Sequence, residues 1–159
     1  GDPTKHERLN RLTRDVLFIE RCLHFLRPGG RMAIVLPQGN LNNTNAEYIR
    51  RFVMDKARIL AVVGMHVNTF KPFTGTKTSV LFLQKWHSAE EEMDDYPIFM
   101  AVNEKPLKDN SGDYIFARDP DGKPLKDEQG KPIIEHDLDE IADAFIEFAK
   151  EQGLDFWKE

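Results

Sequence analysis

The stretch that decides the fold is RILAVVGMHVNTFKPFTGTKTSVLFLQKW, residues 58–86. An apolar run at 58–65 leads into a loop rich in Thr, and a second apolar run follows at 78–86. Both runs are short, rich in aliphatic residues and bounded by turn residues, which is typical of strands buried in a sheet. The loop between them, residues 66–77, carries two phenylalanines and two lysines. We therefore look for function in this loop first.

The residues before this stretch predict a helix and another strand. Apolar residues spaced three and four apart predict an amphipathic helix over about 11–27. The helix should end at RPGG, residues 27–30, because proline cannot continue a helix and glycine adopts the left-handed conformation at its end. The continuous apolar run 32–36 predicts a strand covered on both faces, followed by a loop, QGNLNN. The residues of the helical stripe are Leu12, Val16, Ile19, Leu23 and Leu26.

A second helix is predicted to begin at Thr44. Thr44 and Glu47 match a capping box, in which each side chain bonds a free backbone N–H of the first turn. Its buried stripe would be formed by Ile49, Phe52, Val53 and Ala57. The resulting order of helix, strand, helix, strand, loop and strand, with short connections, predicts a layered α/β sheet.

The remaining chain differs in character, so we predict three segments: 1–86, an acidic linker at 87–95, and an extension at 96–159. The extension should contain a strand at 96–102, then hairpins or an irregular arm at 105–132, where turn signals are frequent. A last helix is expected over 137–152, with Asp137 and Glu140 as a capping pair and Gly153 as its stop. We detect no internal repeat. The buried stripe of this helix would be Leu138, Ile141, Phe145 and Phe148.

Charge is distributed unevenly along the 159 residues. Residues 1–85 hold 14 Lys/Arg and 6 Asp/Glu, a balance of +8, and residues 86–159 hold 8 and 21, a balance of −13. The basic half could face nucleic-acid phosphates, or the two halves could carry solvated faces that neutralise each other. We predict no membrane span, because no apolar run reaches about 18 residues. We predict a cytoplasmic protein, because the chain has a single cysteine, Cys22, and no secretory signal.

Several kinds of site are excluded by spacing. The GTKT sequence at 75–78 is not a phosphate loop, because no glycine stands five residues before Gly75 and threonine follows it. No two glycines are spaced by two, so no dinucleotide-type loop exists. No histidine pairs with another histidine or with Cys22 at a metal-ligand spacing on one helix face. The DPDG sequence at 119–122 lacks the acidic ligand expected at the twelfth position of a calcium loop, where Gly130 stands, and therefore predicts a turn.

The ends of the predicted strands offer a more specific location. Ligands of open α/β sheets bind beyond the carboxyl ends of parallel strands. If strands 32–36 and 59–65 are parallel, Gln38, Asn40, Phe70 and Phe73 should lie on one rim of the sheet. Ordinary core packing of the two phenylalanines is the alternative.

Two motifs at this spacing resemble a known family. LHFLRPGGRMAIVLPQGNL, followed by IRRFVMDK and ILAVVGMHVNTFKPFTGTKTSVLFLQK, resembles the modification subunit of type I restriction–modification systems. The members of this family are adenine-specific DNA methyltransferases that use S-adenosylmethionine. The similarity covers about residues 15–86, and IFMAVNEKPLKDNSGDYIFARDPDGKPL looks less sharply like the segment that follows the catalytic domain.

The resemblance implies the second half of a Rossmann-like methyltransferase sheet, in which strand 78–86 runs antiparallel, followed by the strand and hairpin arm and a C-terminal helix. It implies methyl transfer to an adenine flipped out of the duplex, with Phe70 stacked on the base and Phe73 as runner-up. Gln38, Asn40, Lys71, Thr74 and Lys77 become candidate rim or DNA contacts, although each could be an ordinary exposed loop residue. Specificity and restriction subunits would be its protein partners.

Two departures from the family pattern limit what this chain could do alone. It has no Pro-Pro pair, so the Asn/Asp-Pro-Pro-Tyr/Phe motif is missing, and the glycine loop for the cofactor is missing too. We therefore expect a C-terminal part of the methyltransferase domain, with no catalytic, cofactor or metal residues of its own, inactive in isolation and prone to self-association through an exposed sheet edge.

Two other hypotheses remain open. The chain could be a non-catalytic module that binds DNA or a partner subunit, with the acidic region 87–159 as the docking surface. The missing glycine loop disfavours an unrelated α/β nucleotide-binding enzyme.

Overall fold

The computed structural model describes residues 14–88, 93, 95–154 and 156. The start of the first predicted helix, with Leu12, and most of the acidic linker lie outside them. The elements, in chain order, are α1 (Arg14–Phe25), β1 (Arg31–Pro37), α2 (Gly39–Asn42), a 3₁₀ turn (Thr44–Ala46), α3 (Glu47–Lys56), β2 (Ala57–Gly64), β3 (Thr78–Lys85), β4 (Phe99–Val102) and α4 (Leu138–Glu151).

The four strands form one sheet in the order β1-β3-β2-β4. β2 and β4 are parallel, with Ala61 opposite Phe99. β3 is antiparallel, because Lys85 at its end exchanges backbone hydrogen bonds of 3.0 and 2.8 Å with Gly29 and Gly30, which precede β1. The predicted α/β class and the antiparallel strand are therefore confirmed. The parallel pairing of β4 adds a strand that the sequence had assigned to the extension.

The chain divides into two compact units, which we describe separately. Unit 1 comprises Gly1–Leu60 and Leu81–Tyr96, and unit 2 comprises Ala61–Val80 and Pro97–Glu159. The division runs through β2 and β3. The domain boundaries proposed from the sequence stay a prediction.

The core of unit 1 joins one stripe of each helix to the sheet. The predicted helix end is confirmed, since Gly29 has φ 71°. The Lys85 ammonium donates to the carbonyls of Leu23 (2.9 Å) and Leu26 (2.8 Å), which lie at the end of α1 and lack helical partners. The buried apolar side chains of this core include Ile19, Leu23, Leu36, Ile49, Val53, Leu81 and Leu83.

β1 departs from the sequence prediction because it is covered on one face only. Met32, Ile34 and Leu36 point to the protected side, whereas Val35 is 48% exposed. β1 lies beside the antiparallel β3, and antiparallel pairs commonly have one face on the core and one in water. Continuous apolar sequence therefore overstated its burial, while β2 and β3 contain no exposed residue, as predicted.

Two further predictions were wrong, the loop at 38–43 and the capping box of Thr44 and Glu47. Residues Gly39–Asn42 form a short helix, and the side chain of Asn43 caps the 3₁₀ turn by accepting from the backbone N–H of Asn45 at 3.1 Å. Asn43 has the extended backbone of an N-cap residue, which lets its side chain reach the first N–H groups of the turn. The cap is therefore Asn43 and not Thr44. Glu47 instead forms an ion pair with Arg51 (2.7 Å). Ala57 begins β2 and is not part of the helix.

In unit 2, α4 packs on β4 through aromatic rings. Phe99 lies 5.5 Å from Phe145 and 5.6 Å from Phe148, measured between ring centroids. The helix ends as predicted at Gly153, whose φ is 62°, and the N–H of Leu154 donates to the carbonyl of Ala149 at 2.8 Å. This pattern is a Schellman ending, which glycine favours because it has no Cβ.

An internal repeat, which the sequence analysis missed, forms the arm before α4. Three turns share the pattern Asp-x-x-Gly: 109–112, 119–122 and 127–130. In each turn the glycine N–H donates to the carbonyl of the aspartate, at 3.2, 2.9 and 2.9 Å. The glycines have φ values of 98°, 82° and 79°, so each turn needs a residue that tolerates the left-handed region.

The segments that flank the second and third turns meet in a closed ring of backbone hydrogen bonds. Leu125 N–H donates to Ala117 (2.8 Å), Ala117 to Ile133 (2.9 Å) and Ile133 to Leu125 (2.9 Å). Ala117, Leu125 and Ile133, which are spaced by eight residues, thus satisfy one another, and the arm repeats the same turn three times. In the part of the chain that the structure describes, no helix has the length and apolar character needed to cross a membrane.

Candidate functional site

The Phe70 loop, residues 65–77, connects β2 to β3 in unit 2. At the base of the loop, the N–H of Met65 donates to the carbonyl of Thr78 at 2.9 Å. This bond joins the end of β2 to the start of β3. The N–H of His66 donates to the side-chain oxygen of Asn103 at 3.2 Å, and Asn103 in turn donates its N–H to Gly64 at 2.8 Å. The loop therefore starts from a fixed base beside β4.

Within the loop, successive turns hold the backbone. The hydroxyl of Thr69 donates to the carbonyl of His66 at 2.7 Å, and the N–H of Asn68 donates to His66 Nδ1 at 3.1 Å. The carbonyl of Phe70 accepts from the N–H groups of Phe73 (3.0 Å) and Thr74 (3.2 Å). Because its backbone groups find partners inside the loop, the segment has a defined conformation before any ligand binds.

The two candidate aromatic residues differ in exposure. Phe70 is half-buried, whereas Phe73 is 91% exposed. A ring that is partly embedded keeps a fixed orientation, and a fully exposed ring does not. The preference for Phe70 as the stacking residue stays a prediction, and this difference supports it.

The other predicted loop residues have distinct surroundings. Lys71 is half-buried and its ammonium donates to the carbonyl of Asn110 at 3.1 Å. Thr74 is exposed, and its hydroxyl oxygen accepts from the N–H of Thr76 at 3.0 Å, which shapes the turn. Lys77 is exposed. Lys77 thus offers a solvent-facing positive charge, while Lys71 serves the loop itself.

Gln38 and Asn40 belong to unit 1, where they lie at the start of α2. Both are half-buried. The carbonyl of Gln38 accepts from the N–H of Leu41 at 3.0 Å, and the side-chain amide of Asn40 donates to the carboxylate of Asp15 on α1. Asn40 thus links two helices, which is a structural task that the sequence did not indicate.

A buried network that the sequence did not reveal supports the Phe70 loop. The carboxylate of Asp137 accepts from the N–H groups of Glu104 (2.8 Å) and Lys105 (3.2 Å) and from the side-chain amide of Asn103. It makes no side-chain cap to α4, so the predicted capping pair with Glu140 is wrong. The carboxylate instead accepts from residues 103–105, whose N–H donors converge on it and form strong, charge-assisted hydrogen bonds.

These hydrogen bonds also fix the charge state of Asp137. Burial acts to raise the pKa of this carboxyl, but the bonds from Glu104, Asn103 and Lys105 outweigh burial and leave its pKa below the ordinary 3.8. Asp137 is therefore ionised at neutral pH. Since Asn103 also holds His66, the network connects the base of the Phe70 loop to the start of α4. The only sequence signal was that polar residues stand at the end of β4 and just before α4.

Unit 1 contains an open cavity of about 560 Å³ against α1 and α3. Its basic residues include Arg21, Lys56 and Lys85, but the Lys85 ammonium is already bound to two carbonyls of α1. Among the described residues, no group of three or more His, Cys, Asp or Glu side chains is placed to hold a metal ion.

Ligands of open α/β sheets bind beyond the carboxyl ends of the strands, so the glycines in that position bear on cofactor binding. The turns that follow β1 and β2 carry one glycine each, Gly39 and Gly75. A Cβ added to either glycine would meet no protein atom within 4 Å, so packing within the chain does not require glycine at either position.

Comparison with known proteins gives the family. A model of the N-6 DNA methylases matches residues 4–158. The methylase subunit of the type I restriction enzyme EcoEI from Escherichia coli is 30% identical over 76 residues, which are 47% of this chain and 16% of that subunit.

Two solved structures are similar over part of the chain. The type I restriction enzyme EcoKI M protein is 32% identical, with 46% of this chain and 15% of that chain covered and a TM-score of 0.42. A chain of a type I restriction–modification system is 22% identical, with 86% and 23% covered and a TM-score of 0.43. This chain spans less than a quarter of each relative. It belongs to the N-6 DNA methylase family, and its predicted similarity to type I modification subunits is confirmed.

Proposed function

We propose that this chain is part of a DNA adenine-N6 methyltransferase of a type I restriction–modification system, acting on an adenine flipped from the duplex. The observation that carries the proposal is the Phe70 loop. It follows a buried parallel strand, is held at its base, and presents one half-buried and one exposed phenylalanine. A flipped base loses its stacking energy in the duplex and needs an aromatic face in exchange.

The proposed roles follow from the exposure of each side chain. Phe70 stacks on the adenine, and Phe73 is the second candidate. The exposed Lys77 and Thr74 contact the DNA backbone, while Lys71 holds the loop through Asn110. Catalysis would rest on the placement of the base beside the methyl donor, since no covalent intermediate is needed.

When it is bound, S-adenosylmethionine supplies the methyl group. We propose that the residues of this chain help to bind the other substrate, the adenine base. The sequence lacks both the motif that polarises the adenine amine and the glycine loop for the cofactor. We propose that polypeptide outside this chain supplies both. The partners in the whole assembly would be DNA and the specificity and restriction subunits, in the cytoplasm. Gln38 and Asn40 remain candidate contacts in unit 1.

The stacking role can be tested with Phe70→Ala and Phe73→Ala in the intact methyltransferase. Loss of a base–aromatic stack costs about 1–3 kcal/mol, so we expect roughly a 5- to 150-fold loss in kcat/KM for adenine methylation with Phe70→Ala. The fluorescence of 2-aminopurine at the target position should fall as flipping weakens. Thermal unfolding of both variants checks that they fold.

The outcomes separate the hypotheses. If Phe73→Ala alone lowers methylation, the roles of the two rings are exchanged. If the intact protein binds DNA but never methylates adenine, the methyltransferase proposal fails and the alternative, a non-catalytic DNA- or subunit-binding module, takes its place.

A further inference from the structure

The first turn of the arm, 109–112, lies against the Phe70 loop within unit 2. The ammonium of Lys108 donates to the carbonyl of Lys71 at 2.9 Å. In the opposite direction, the ammonium of Lys71 donates to the carbonyl of Asn110 at 3.1 Å. Each lysine thus donates a charge-assisted hydrogen bond to the backbone of the segment that contains the other lysine. The two bonds together fix the distance between the two backbones.

A third hydrogen bond joins two side chains. The amide nitrogen of Asn68 donates to the side-chain oxygen of Asn110 at 3.2 Å. Asn68 is 6% exposed, and its own oxygen finds no partner among the described residues. Without Asn110, both polar atoms of a buried amide would be unpaired, which is costly away from water.

Close packing completes the contact. A Cβ added at Gly112 would lie 2.7 Å from the ring nitrogen and Cδ of Pro72 and 3.0 Å from the carbonyl carbon of Lys71. No side chain larger than hydrogen fits there without moving the loop backbone. Gly112 therefore has two tasks, since it also closes its own turn at φ 98°.

The other two turns of the repeat make no such contact. Gly122 and Gly130 occupy the equivalent positions with similar φ values, yet a Cβ at either would meet no atom within 4 Å. The turn shape is thus shared by all three repeats, whereas the packing on Pro72 is found at the first. The Lys108 ammonium is further steadied by the ring of Tyr114, 5.0 Å away.

We propose that Lys108, Asn110 and Gly112 are positioning residues that hold the Phe70 loop in the orientation needed for the target base. Their contacts fall on residues 68, 71 and 72, which lie on both sides of Phe70 in the chain. A backbone held on both sides cannot carry its ring away from the base. This inference rests on the proposed function, and it gives the extension after the sheet a part in methylation.

A matched pair of variants tests the packing contact. Gly112→Ala and Gly122→Ala both place a Cβ at a left-handed position of the same kind of turn, so the local strain is alike. Only Gly112→Ala also displaces Pro72. In the intact methyltransferase, we expect faster hydrogen exchange of the backbone amides of residues 66–77 in Gly112→Ala, and exchange like wild type in Gly122→Ala.

A second pair tests the lysine. Lys108→Met removes the donor to Lys71, whereas Lys126→Met changes an exposed lysine at the equivalent bridge position of the third hairpin. Because a displacement of about 1 Å at a reacting centre can cost on the order of 100-fold, we expect kcat to fall by about 10- to 100-fold in Lys108→Met and to stay unchanged in Lys126→Met. Lys108→Arg keeps a donor and should restore part of the rate. The fluorescence of 2-aminopurine at the target position should fall with kcat.

The outcomes are distinct from those of the proposed function. Loop exchange that is equal in Gly112→Ala and Gly122→Ala would overturn the inference, whatever the enzyme does. Faster loop exchange with full methylation and full 2-aminopurine fluorescence would also overturn it, while the methyltransferase proposal would stand. If wild type does not methylate adenine, the proposed function fails and the positioning role falls with it. Faster exchange together with slower methylation supports both.

Discussion

Asp137 shows how much of unit 2 depends on a single carboxylate. It stands just before α4, where a sequence pattern indicated a helix cap, yet it binds the backbone of Glu104 and Lys105 and the amide of Asn103. Asp137 is 9% exposed, so water cannot replace these donors. At the scale of one residue, the base of the Phe70 loop and the start of α4 are stabilised together.

Asp137→Asn should therefore lower the free energy of unfolding by about 1–3 kcal/mol, because one acceptor becomes a donor that faces other donors. The pKa of Asp137 in the folded chain is lowered. Its contribution is thus present above the unfolded pKa of about 3.9 and is lost as pH falls through the lower folded pKa. Denaturant unfolding of wild type and variant should give a difference that is constant from neutral pH to about 5 and shrinks below about 4.

Asp139→Asn, at an exposed carboxylate in the first turn of α4, serves as the control. It should change stability by less than about 1 kcal/mol, the usual size of a helix-dipole contribution at the surface. Equal effects of the two substitutions would show that Asp137 acts through the helix and not through residues 103–105.

At the scale of elements, β1 and β4 are the two edge strands of the described sheet, and β1 has the longer edge, seven residues against four. Its one hydrogen-bonded neighbour in the described sheet is β3, and Val35 on its exposed face is 48% accessible. An edge strand with free N–H and C=O groups and apolar side chains pairs readily with another chain. Because β1 has the longer free edge, we predict that the self-association expected from the sequence occurs there.

Val35→Lys should weaken this association, because a charge on an edge strand opposes pairing with a second copy. We expect the 159-residue chain to form dimers or larger species in light scattering at tens of micromolar, and Val35→Lys to shift it towards monomers. Tyr48→Lys, on the exposed side of α3, should leave the distribution unchanged. A wild-type chain that is monomeric at every concentration would contradict the prediction.

At the scale of the whole molecule, membership of the family does not mean that the chain carries every motif needed for methyl transfer. Residues 4–158 match the N-6 DNA methylase family, yet no glycine loop for the cofactor and no Pro-Pro pair occur in the sequence. The purified 159-residue chain should therefore transfer no labelled methyl group from S-adenosylmethionine to DNA, even at micromolar concentration. Incorporation at adenine above that of a no-protein control would refute this expectation.

Local patterns predicted the elements well where burial is symmetric. β2 and β3 were found because both faces of each strand are covered, so apolar residues run without interruption. The same logic failed for β1, where one face is open, and at Thr44, where the neighbouring Asn43 has the better geometry for the cap. The repeated Asp-x-x-Gly turns were visible as turns but not as a repeat, because their spacings of ten and eight residues differ.

The sequence by itself determined the α/β class, the ends of α1 and α4 at glycines, and the loop on which function is proposed. These features depend on neighbours within one or two turns or on the alternation of a strand, so they leave a local signature. Tertiary structure decided which partner each polar side chain takes. His66 meets Asn103 across 37 positions of sequence, Asn103 meets Asp137 across 34, and Asn68 meets Asn110 across 42. No local pattern specifies such pairs, because a hydrogen bond depends on distance in space, and only the folded sheet, arm and helix bring these groups together.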